Sequence, residues 1–213
     1  MKNILEIFNE VGFEIADKID FKGYKTIENE PELIHIVNDT MIHLLSSHDW
    51  LDLIKVASIP ITCSELDKDI IHAYRYSTYG FNVFKPLTNN FIYIRNAQGK
   101  CISSGKLIKA LNEYIYCDDG FEINFYYDKF LVKKSPTGLY YIDFMYLSSA
   151  VVYDAQNGYE EKSNIENDTD IPVFDEYIVK LGLKWRLLKH FNKDYNTEYN
   201  EYIQILNKII ERG

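Results

Sequence analysis

The sequence predicts an α+β protein in which helices from the N- and C-terminal parts of the chain form one helical domain with an inserted antiparallel β region. Two observations predict this class. Apolar residues recur at helical spacing in both end regions, and the middle is a series of short β-branched and aromatic runs separated by turn residues. One amphipathic helix pair buries too little surface to be stable alone, so we expect the two pairs to pack together. The predicted domains are residues 1–50 with 172–213, and residues 51–171.

Two amphipathic helices are predicted before residue 50. The second begins at Pro31, a residue that the first helical turn tolerates, and ends near residues 46–49. Its two histidines, His35 and His43, lie two turns apart, which is too far to share a metal ion. The apolar stripes are Ile4, Ile7, Phe8, Val11 and Ile15 in the first helix and Ile34, Val37, Met41, Leu44 and Leu45 in the second.

The middle of the chain is predicted to be antiparallel β-structure. Residues 55–63 form the first strand candidate, and Pro60 favours a position at a sheet edge. Residues 91–95 and 100–103 flank turn residues 96–99 and form a predicted hairpin. Residues 106–113 fit a short helix or a strand, because their apolar spacing does not separate the two. Further strands are predicted over residues 114–116, 121–126, 130–134 and 139–147, with turns at residues 118–120 and at Ser135-Pro136-Thr137-Gly138.

An acidic connection follows the β region and is predicted to be a solvated loop. Residues 154–176 contain many Asp and Glu residues and a single base, Lys162. Asp168 and Asp170 lie two positions apart, as calcium ligands do, but the glycine and the final glutamate of a calcium-binding loop are missing. We therefore expect no metal or other cofactor.

Helical spacing returns after the acidic connection. Gly182 lies within the predicted third helix, where a missing side chain permits close approach of another backbone. A break near residues 192–194 precedes the last helix. The apolar stripes are Phe174, Ile178, Leu181, Trp185 and Leu188 in the third helix and Tyr195, Tyr199, Tyr202, Leu206 and Ile209 in the last.

Composition excludes several classes of protein. The 213 residues are 46% hydrophobic and 26% charged, which is ordinary for a folded domain. No apolar run approaches the roughly 20 residues of a membrane-spanning helix, and the acids begin too early for a signal peptide. The net charge of −9 argues against non-specific nucleic-acid binding as the main activity. Cys63, Cys101 and Cys117 are far apart and are predicted to be reduced, buried thiols.

The search for catalytic motifs finds only weak candidates. Residues 99–106 resemble a phosphate-binding loop, but the spacing is wrong and Leu107 replaces the magnesium-ligating Ser or Thr. His48 and Asp49 follow two serines, which suggests a hydrolase, but we favour His48 as a residue that ends a helix. The 18 tyrosines favour protein–protein contacts, since tyrosine joins a large apolar ring to a hydrogen-bonding tip.

Three groups of short motifs together resemble a known family. The first is Ser47-His48-Asp49-Trp50-Leu51 after a helix pair. The second is a series of strands around a turn that contains Pro136 and Gly138. The third begins at Asp170 and continues through Leu181-Gly182-Leu183-Lys184-Trp185-Arg186 into a tyrosine-bearing helix with Tyr195, Tyr199 and Tyr202. This combination resembles the head-to-tail adaptor proteins, also called tail tubular or tail accessory proteins, of short-tailed bacteriophages. Residues 64–117 do not align with the family pattern.

The resemblance implies a structural virion protein without catalysis. Such adaptors form a ring, usually of 12 copies, beneath the portal protein, extend the DNA channel and attach the next tail or nozzle component. The implied location is the portal vertex of a virion assembled in the host cytoplasm, with double-stranded DNA passing through the lumen and no contact with a membrane. Trp50, Trp185 and Tyr199 are interpreted as core anchors, and Arg186 is expected to pair with an acid of a neighbouring helix or subunit.

Two alternatives of other classes stay open. One is an interaction module unrelated to phages, which shares the tyrosine content. The other is a hydrolase that uses His48, Asp49 or the acids near Asp168.

Overall fold

The computed structural model describes residues 1–63, 72–87, 91–106, 115–116, 122–126, 129–133 and 138–211. The chain divides into two compact units. The helical unit consists of Met1–Leu51 and Ser149–Gly213, and the β unit is Asp52–Ser148. The predicted α+β class, with helices from both end regions and an antiparallel β insert, is confirmed.

The described elements of the helical unit are four helices and one small sheet. The helices are α1 (Ile4–Glu14), α2 (Pro31–Ser47), α3 (Glu176–His190) and α4 (Asn196–Ile210). The strands of this unit are β10 (Val152–Asp154), β11 (Glu160–Lys162) and β12 (Ile171–Pro172), in the antiparallel order β11-β10-β12.

The division between the units differs from the expected one near its second boundary. The sequence predicts residues 149–171 to be part of the β insert, whereas in the structure they belong to the helical unit. Their backbone is bound to the start of α1, because the amides of Ile4 and Leu5 donate to the carbonyls of Asp170 and Asp168 at 2.8 and 3.2 Å. These bonds satisfy two of the amides that a helix leaves without a partner in its first turn.

The first helix forms where its sequence signals place it. The Asn3 side chain accepts a hydrogen bond from the amide of Glu6 at 2.9 Å, and the Glu6 carboxylate accepts one from the amide of Asn3 at 3.0 Å. This reciprocal capping box fixes the start of α1. All five residues of the predicted apolar stripe, Ile4, Ile7, Phe8, Val11 and Ile15, are buried.

The second helix has Pro31 in its first turn, as expected, and ends at Ser47. Its buried stripe is slightly rotated from the predicted one, since Leu33 is buried and Ile34 is only half-buried. Thr40 also lies on the buried side, where its hydroxyl donates to the Ile36 carbonyl at 2.9 Å.

The third helix is the centre of the helical unit and packs against each of the other three helices. Asp175 caps its first turn by accepting from the amide of Tyr177 at 2.9 Å. Ile178, Leu181 and Leu188 are buried as predicted. In α4 the stripe is only partly buried: Tyr202 and Leu206 are buried, whereas Tyr195 and Ile209 are half-buried and Tyr199 is exposed.

The described residues of the β unit form two antiparallel sheets. The first has the order β1-β9-β4-β5, with β3 also paired to β9, and the second has the order β2-β8-β7-β6. The strands are β1 (Ile54–Cys63), β2 (His72–Arg75), β3 (Val83–Pro86), β4 (Phe91–Asn96), β5 (Cys101–Lys106), β6 (Ile115–Tyr116), β7 (Glu122–Tyr126), β8 (Lys129–Lys133) and β9 (Gly138–Ser148).

One face of the first sheet packs against the second sheet to form the core of the β unit. Ile59, Ile142 and Phe144 of the first sheet belong to the same buried cluster as Phe130 and Val132 of the second. The rings of Phe130 and Phe144 meet edge to face with centroids 4.9 Å apart. Each of these residues alternates with an outward-facing neighbour, as a half-buried strand requires.

The predicted hairpin of β4 and β5 is confirmed. Its turn is held by Asn96, whose side-chain oxygen accepts from the amides of Gln98 and Lys100 at 3.1 and 2.9 Å. Gly99 supplies the positive φ of +78° that the turn needs. Among the described strands, β1 pairs only with β9, which agrees with the edge position that Pro60 favours.

The cysteine prediction is wrong for Cys101. It lies on β5 and is exposed rather than buried, because the strand alternation places it opposite Arg95 on the outer face of the sheet. Several sequence predictions lie outside the described residues, namely those for Cys117, Pro136, the turn at 118–120 and the undecided segment 107–113.

Candidate functional site

The first motif segment closes the end of α2. The indole Nε1 of Trp50 and the hydroxyl of Ser47 both donate to the Leu44 carbonyl at 2.7 Å. This carbonyl belongs to the last helical turn, where it has no amide partner within the helix. The His48 ring meets the Trp50 ring edge to face at 5.8 Å. Asp49 is exposed, so the segment packs Trp50 and leaves the carboxylate at the surface.

Trp50 extends this contact to the start of α3. Its ring meets Phe174 edge to face, with centroids 5.3 Å apart. The helix end predicted at His48 is therefore present, but Trp50 rather than His48 binds the free carbonyl. The two serines that prompted the hydrolase alternative use their hydroxyls locally, since Ser46 donates to the carbonyl of His43 at 3.1 Å and Ser47 donates to that of Leu44.

The acidic connection is not the solvated loop that its composition predicts. Asp170 is 0% exposed and Asp154 is also buried. Lys162 lies between them, with its Nζ 2.9 Å from Asp170 and 3.2 Å from Asp154. Burial alone would lower the pKa of Lys162, but the two carboxylates outweigh it and raise that pKa. The single base of the segment therefore forms the centre of a buried ion-pair cluster.

Backbone amides complete the partners of the two aspartates that suggested calcium. Asp170 Oδ2 accepts from the amides of Glu166 and Asn167 at 2.9 and 3.0 Å. Asp168 Oδ1 accepts from the amides of Ile27 and Glu28 at 2.8 and 3.2 Å. Within the described part of the chain, no group of three or more His, Cys, Asp or Glu residues is arranged to hold a metal ion.

The third motif segment places Gly182 where two helices approach closely. A Cβ atom at Gly182 would lie 2.7 Å from Cγ2 of Thr40 on α2 and 3.3 Å from Cε2 of Tyr202 on α4. Both distances are shorter than ordinary van der Waals contact. Gly182 does permit a close approach, but the atoms that approach it belong to side chains of α2 and α4 rather than to another backbone, and both helices lie on the same side of α3.

Trp185 is the centre of an aromatic cluster on this side. Its ring centroid lies 5.2 Å from that of Tyr199, 6.0 Å from that of Tyr195 and 6.4 Å from that of Tyr202. The guanidinium of Arg186 covers the indole at 4.2 Å, a cation–π distance. We call these five residues the Trp185 cluster. It unites the motif tyrosines with Trp185 and Arg186, but it is only partly buried, since Tyr199 is 39% exposed.

The buried side of the Trp185 cluster contains a histidine that the motif comparison missed. His43 Nδ1 and the hydroxyl of Tyr202 lie 2.7 Å apart and share a hydrogen bond. Burial raises the pKa of Tyr202 to about 12, and burial together with the charge of Arg186 lowers the pKa of His43. Both groups are therefore neutral at neutral pH. The sequence could have predicted the contact between His43 and Tyr202 only if the packing of α2 against α4 were already known.

A second surface of interest is the outer face of the first sheet in the β unit. Val56 on β1 is 68% exposed, and Phe91 and Tyr93 on β4 are 53% and 48% exposed, with β9 lying between these two strands. Arg95, also on β4, binds Asp143 of β9 with two N–H groups, one of which donates to Oδ1 at 2.8 Å. We call this surface the outer sheet face. Sequence reasoning missed it, although the unbroken apolar run of residues 91–94 signals a strand with apolar side chains on both faces.

No family model matches this chain, and no curated protein matches it either. Among the described helices, none has the length and apolar character needed to cross a membrane.

Proposed function

We propose that this chain is a structural connector subunit that acts through protein–protein contacts, as the resemblance to head-to-tail adaptors implies. In that role, copies form a ring under a portal protein, extend the DNA channel and bind the next tail component. The observation that carries the proposal is the outer sheet face, which presents large apolar side chains to solvent.

The composition of the outer sheet face is typical of a protein interface. Aromatic residues and arginine are enriched at interface centres, and unpaired charges are rare there. Phe91 and Tyr93 lie side by side with ring centroids 6.4 Å apart. Arg95 is neutralised by Asp143, and its guanidinium also approaches the ring of Tyr141 at 5.6 Å. A partner that covers this face therefore buries aromatic area without isolating a charge.

The helical unit is suited to serve as the fixed part of such a subunit. Its helices from both end regions share one core around α3. The motif residues Gly182, Trp185 and Tyr202 converge on one side of that core, where α2, α3 and α4 meet. This convergence supports a structural role for the third motif segment, because its residues form one packed feature.

The acidic balance of the chain also agrees with a channel through which DNA moves. A wall rich in Lys and Arg would bind phosphates and retain DNA, whereas a net charge of −9 per subunit disfavours such binding. We therefore expect acids to line the lumen of the ring. A cryo-EM reconstruction of a ring with a neutral or basic lumen would contradict this part of the proposal.

The decisive experiment mixes the purified protein with the portal protein encoded in the same genome and images the mixture by electron microscopy. We expect a ring of added density at one end of the portal, with the same result for Tyr177→Ser, an exposed aromatic residue of the helical unit. The double variant Phe91→Ser with Tyr93→Ser should fail to add density or to bind the next tail protein.

Two outcomes of this experiment count against the proposal. The connector role is refuted if no density is added to the portal at a protein concentration of about 100 µM, at which even modest interfaces form. A complete ring that also binds its tail partner with the double variant refutes the outer sheet face as the contact surface.

The second candidate is an interaction module of another assembly, favoured by the same outer sheet face. It becomes the better interpretation if the portal does not bind the protein but affinity purification recovers another partner whose binding the double variant abolishes.

A further inference from the structure

Arg186 is a largely enclosed cation without a carboxylate partner. In the described part of the chain, no Asp or Glu oxygen lies within 4.0 Å of its guanidinium. Its Nη1 donates to the Gly182 carbonyl at 3.0 Å, and its planar faces meet Trp185 and Tyr202. Burial lowers the pKa of Arg186. An enclosed charge with only neutral partners is a costly arrangement that an anion would relieve.

A second group in the same cluster also lacks an acceptor. The indole Nε1 of Trp185 is buried and has no hydrogen-bond partner within the described residues. Lys189, on the same helix, places its Nζ 5.9 Å from the Trp185 ring. Two cations and an unpaired N–H donor therefore lie around one indole ring, and their oxygen partners within the cluster are neutral hydroxyl and carbonyl groups rather than carboxylates.

The acids of the same subunit do not fill this gap. Asp39 on α2 raises the pKa of Arg186 by its charge, but it acts from beyond ion-pair distance. Asp39 is exposed and its Oδ2 lies 3.3 Å from Nε2 of His35. Arg186 therefore does not form the predicted ion pair with an acid of a neighbouring helix. The remaining predicted partner is an acid of a neighbouring subunit.

We propose that a carboxylate of a second copy of this chain binds Arg186 and closes the Trp185 cluster in the interface between copies. This inference rests on the proposed function, in which copies lie side by side in a ring. Arginine has five N–H donors in a planar fork, so it can hold a carboxylate with two hydrogen bonds after one donor is used by Gly182.

Charge complementarity favours a second copy over a nucleic acid as the source of the anion. The chain has 32 acids and 23 bases, so each copy offers more carboxylates than cations. A DNA strand carries a dense row of phosphates, which the net charge of −9 repels. The exposed edge of Tyr199 beside Trp185 adds apolar area next to the charge. Arg, Trp and Tyr are the residue types that most often dominate binding energy at interfaces.

The test measures self-association by sedimentation velocity for the wild-type protein, Arg186→Gln and Arg186→Lys. Lys193→Gln is the matched control, because it removes one positive charge from an exposed position just after α3. A thermal melt of each variant separates lost association from lost folding. Arg186→Lys retains the charge within the fold but loses the planar fork, so it keeps the test valid if Arg186→Gln unfolds.

We expect the wild type and Lys193→Gln to associate with similar constants at concentrations up to about 500 µM. Arg186→Gln should weaken association by about tenfold or more, because one partner of a desolvated charge pair is lost, and Arg186→Lys should have an intermediate effect. Added salt should weaken the wild type more than Arg186→Gln.

A wild-type protein that remains monomeric over this range overturns the inference. So does equal association of folded Arg186→Gln or Arg186→Lys and the wild type. Failure of the proposed function gives a different result: the wild type then self-associates through Arg186 but adds no density to the portal. Conversely, a full ring of Arg186→Gln on the portal retains the connector role and refutes the arginine contact.

Discussion

Substitution of Asp170 tests whether the acidic connection is a structural part of the helical unit. In Asp170→Ala, Lys162 loses the nearer of its two buried carboxylates, and the amides of Glu166 and Asn167 lose their acceptor. Breaking a buried ion pair by removing one partner costs about 3–5 kcal/mol. Asp154 still lies 3.2 Å from Lys162 in this variant. We therefore expect the lost ion pair to account for the lower part of this range of unfolding free energy, and the two amides without an acceptor to account for the remainder.

A graded set of variants separates these contributions. Asp170→Asn retains an oxygen that can accept from the two amides but loses its charge, so it should cost about 1–3 kcal/mol. Glu166→Gln is the matched control, since Glu166 is exposed and its oxygen lies 3.8 Å from Lys162. Exposed pairs of this kind contribute little, so the control should stay within about 1 kcal/mol of wild type.

The assay is urea denaturation followed by tryptophan fluorescence. The sequence contains two tryptophans, and both Trp50 and Trp185 belong to the helical unit. The transition therefore reports on that unit, and the midpoint shift times the slope gives the change in unfolding free energy. If Asp170→Ala and Glu166→Gln unfold at the same urea concentration, the buried cluster does not stabilise the helical unit and the reasoning is refuted.

Three further predictions concern residues of α3 and α4. Trp185→Ala should lower the free energy of unfolding by about 3–5 kcal/mol in urea titrations, and an unchanged midpoint would contradict the role of Trp185 in the core of the helical unit. Gly182→Ala should destabilise the unit by about 1–3 kcal/mol in the same titration, because its Cβ would lie 2.7 Å from Thr40, and an unchanged midpoint would contradict this. Burial opposes ionisation of Glu198, but its 2.5 Å contact with Lys18 prevails and lowers the pKa of Glu198. The stabilisation of the fold by this ion pair is therefore present above the ordinary glutamate pKa and is lost as the pH falls through the lowered pKa of Glu198. Glu198→Gln should flatten the acid side of a curve of unfolding free energy against pH. An unchanged acid side would contradict the stabilising role of this ion pair.

Local signals predicted the elements whose structure is set by nearby residues. The α1 stripe, Pro31 at the start of α2 and the hairpin around Asn96 all depend on contacts within a few residues, so spacing and turn chemistry are sufficient. The sheet order, in which β9 lies between β1 and β4, depends on pairing across about half the chain. The spacing of apolar residues within β1, β4 or β9 does not determine that order.

The errors concern side-chain burial, which composition and residue type alone do not determine. Lys162 is a lone base in an acidic segment, and composition cannot show that two of those acids turn inward to bind it. Cys101 was expected to be buried because free cysteines often are, but strand alternation places it on the outer sheet face. Arg186 was identified as a residue in need of an acid, while its enclosure by Trp185 and Tyr202 required the structure.

The insertion of the β unit into the helical unit has a consequence for the order of folding during synthesis. Residues 52–148 are continuous, so the β unit can begin to fold once they leave the ribosome. The helix pair α1–α2 emerges earlier but lacks α3, the helix against which both pack. The apolar faces of α1 and α2 therefore stay exposed at least until residues 52–190 have been synthesised. Nascent chains arrested before α3 should bind chaperones, and chains arrested after it should release them.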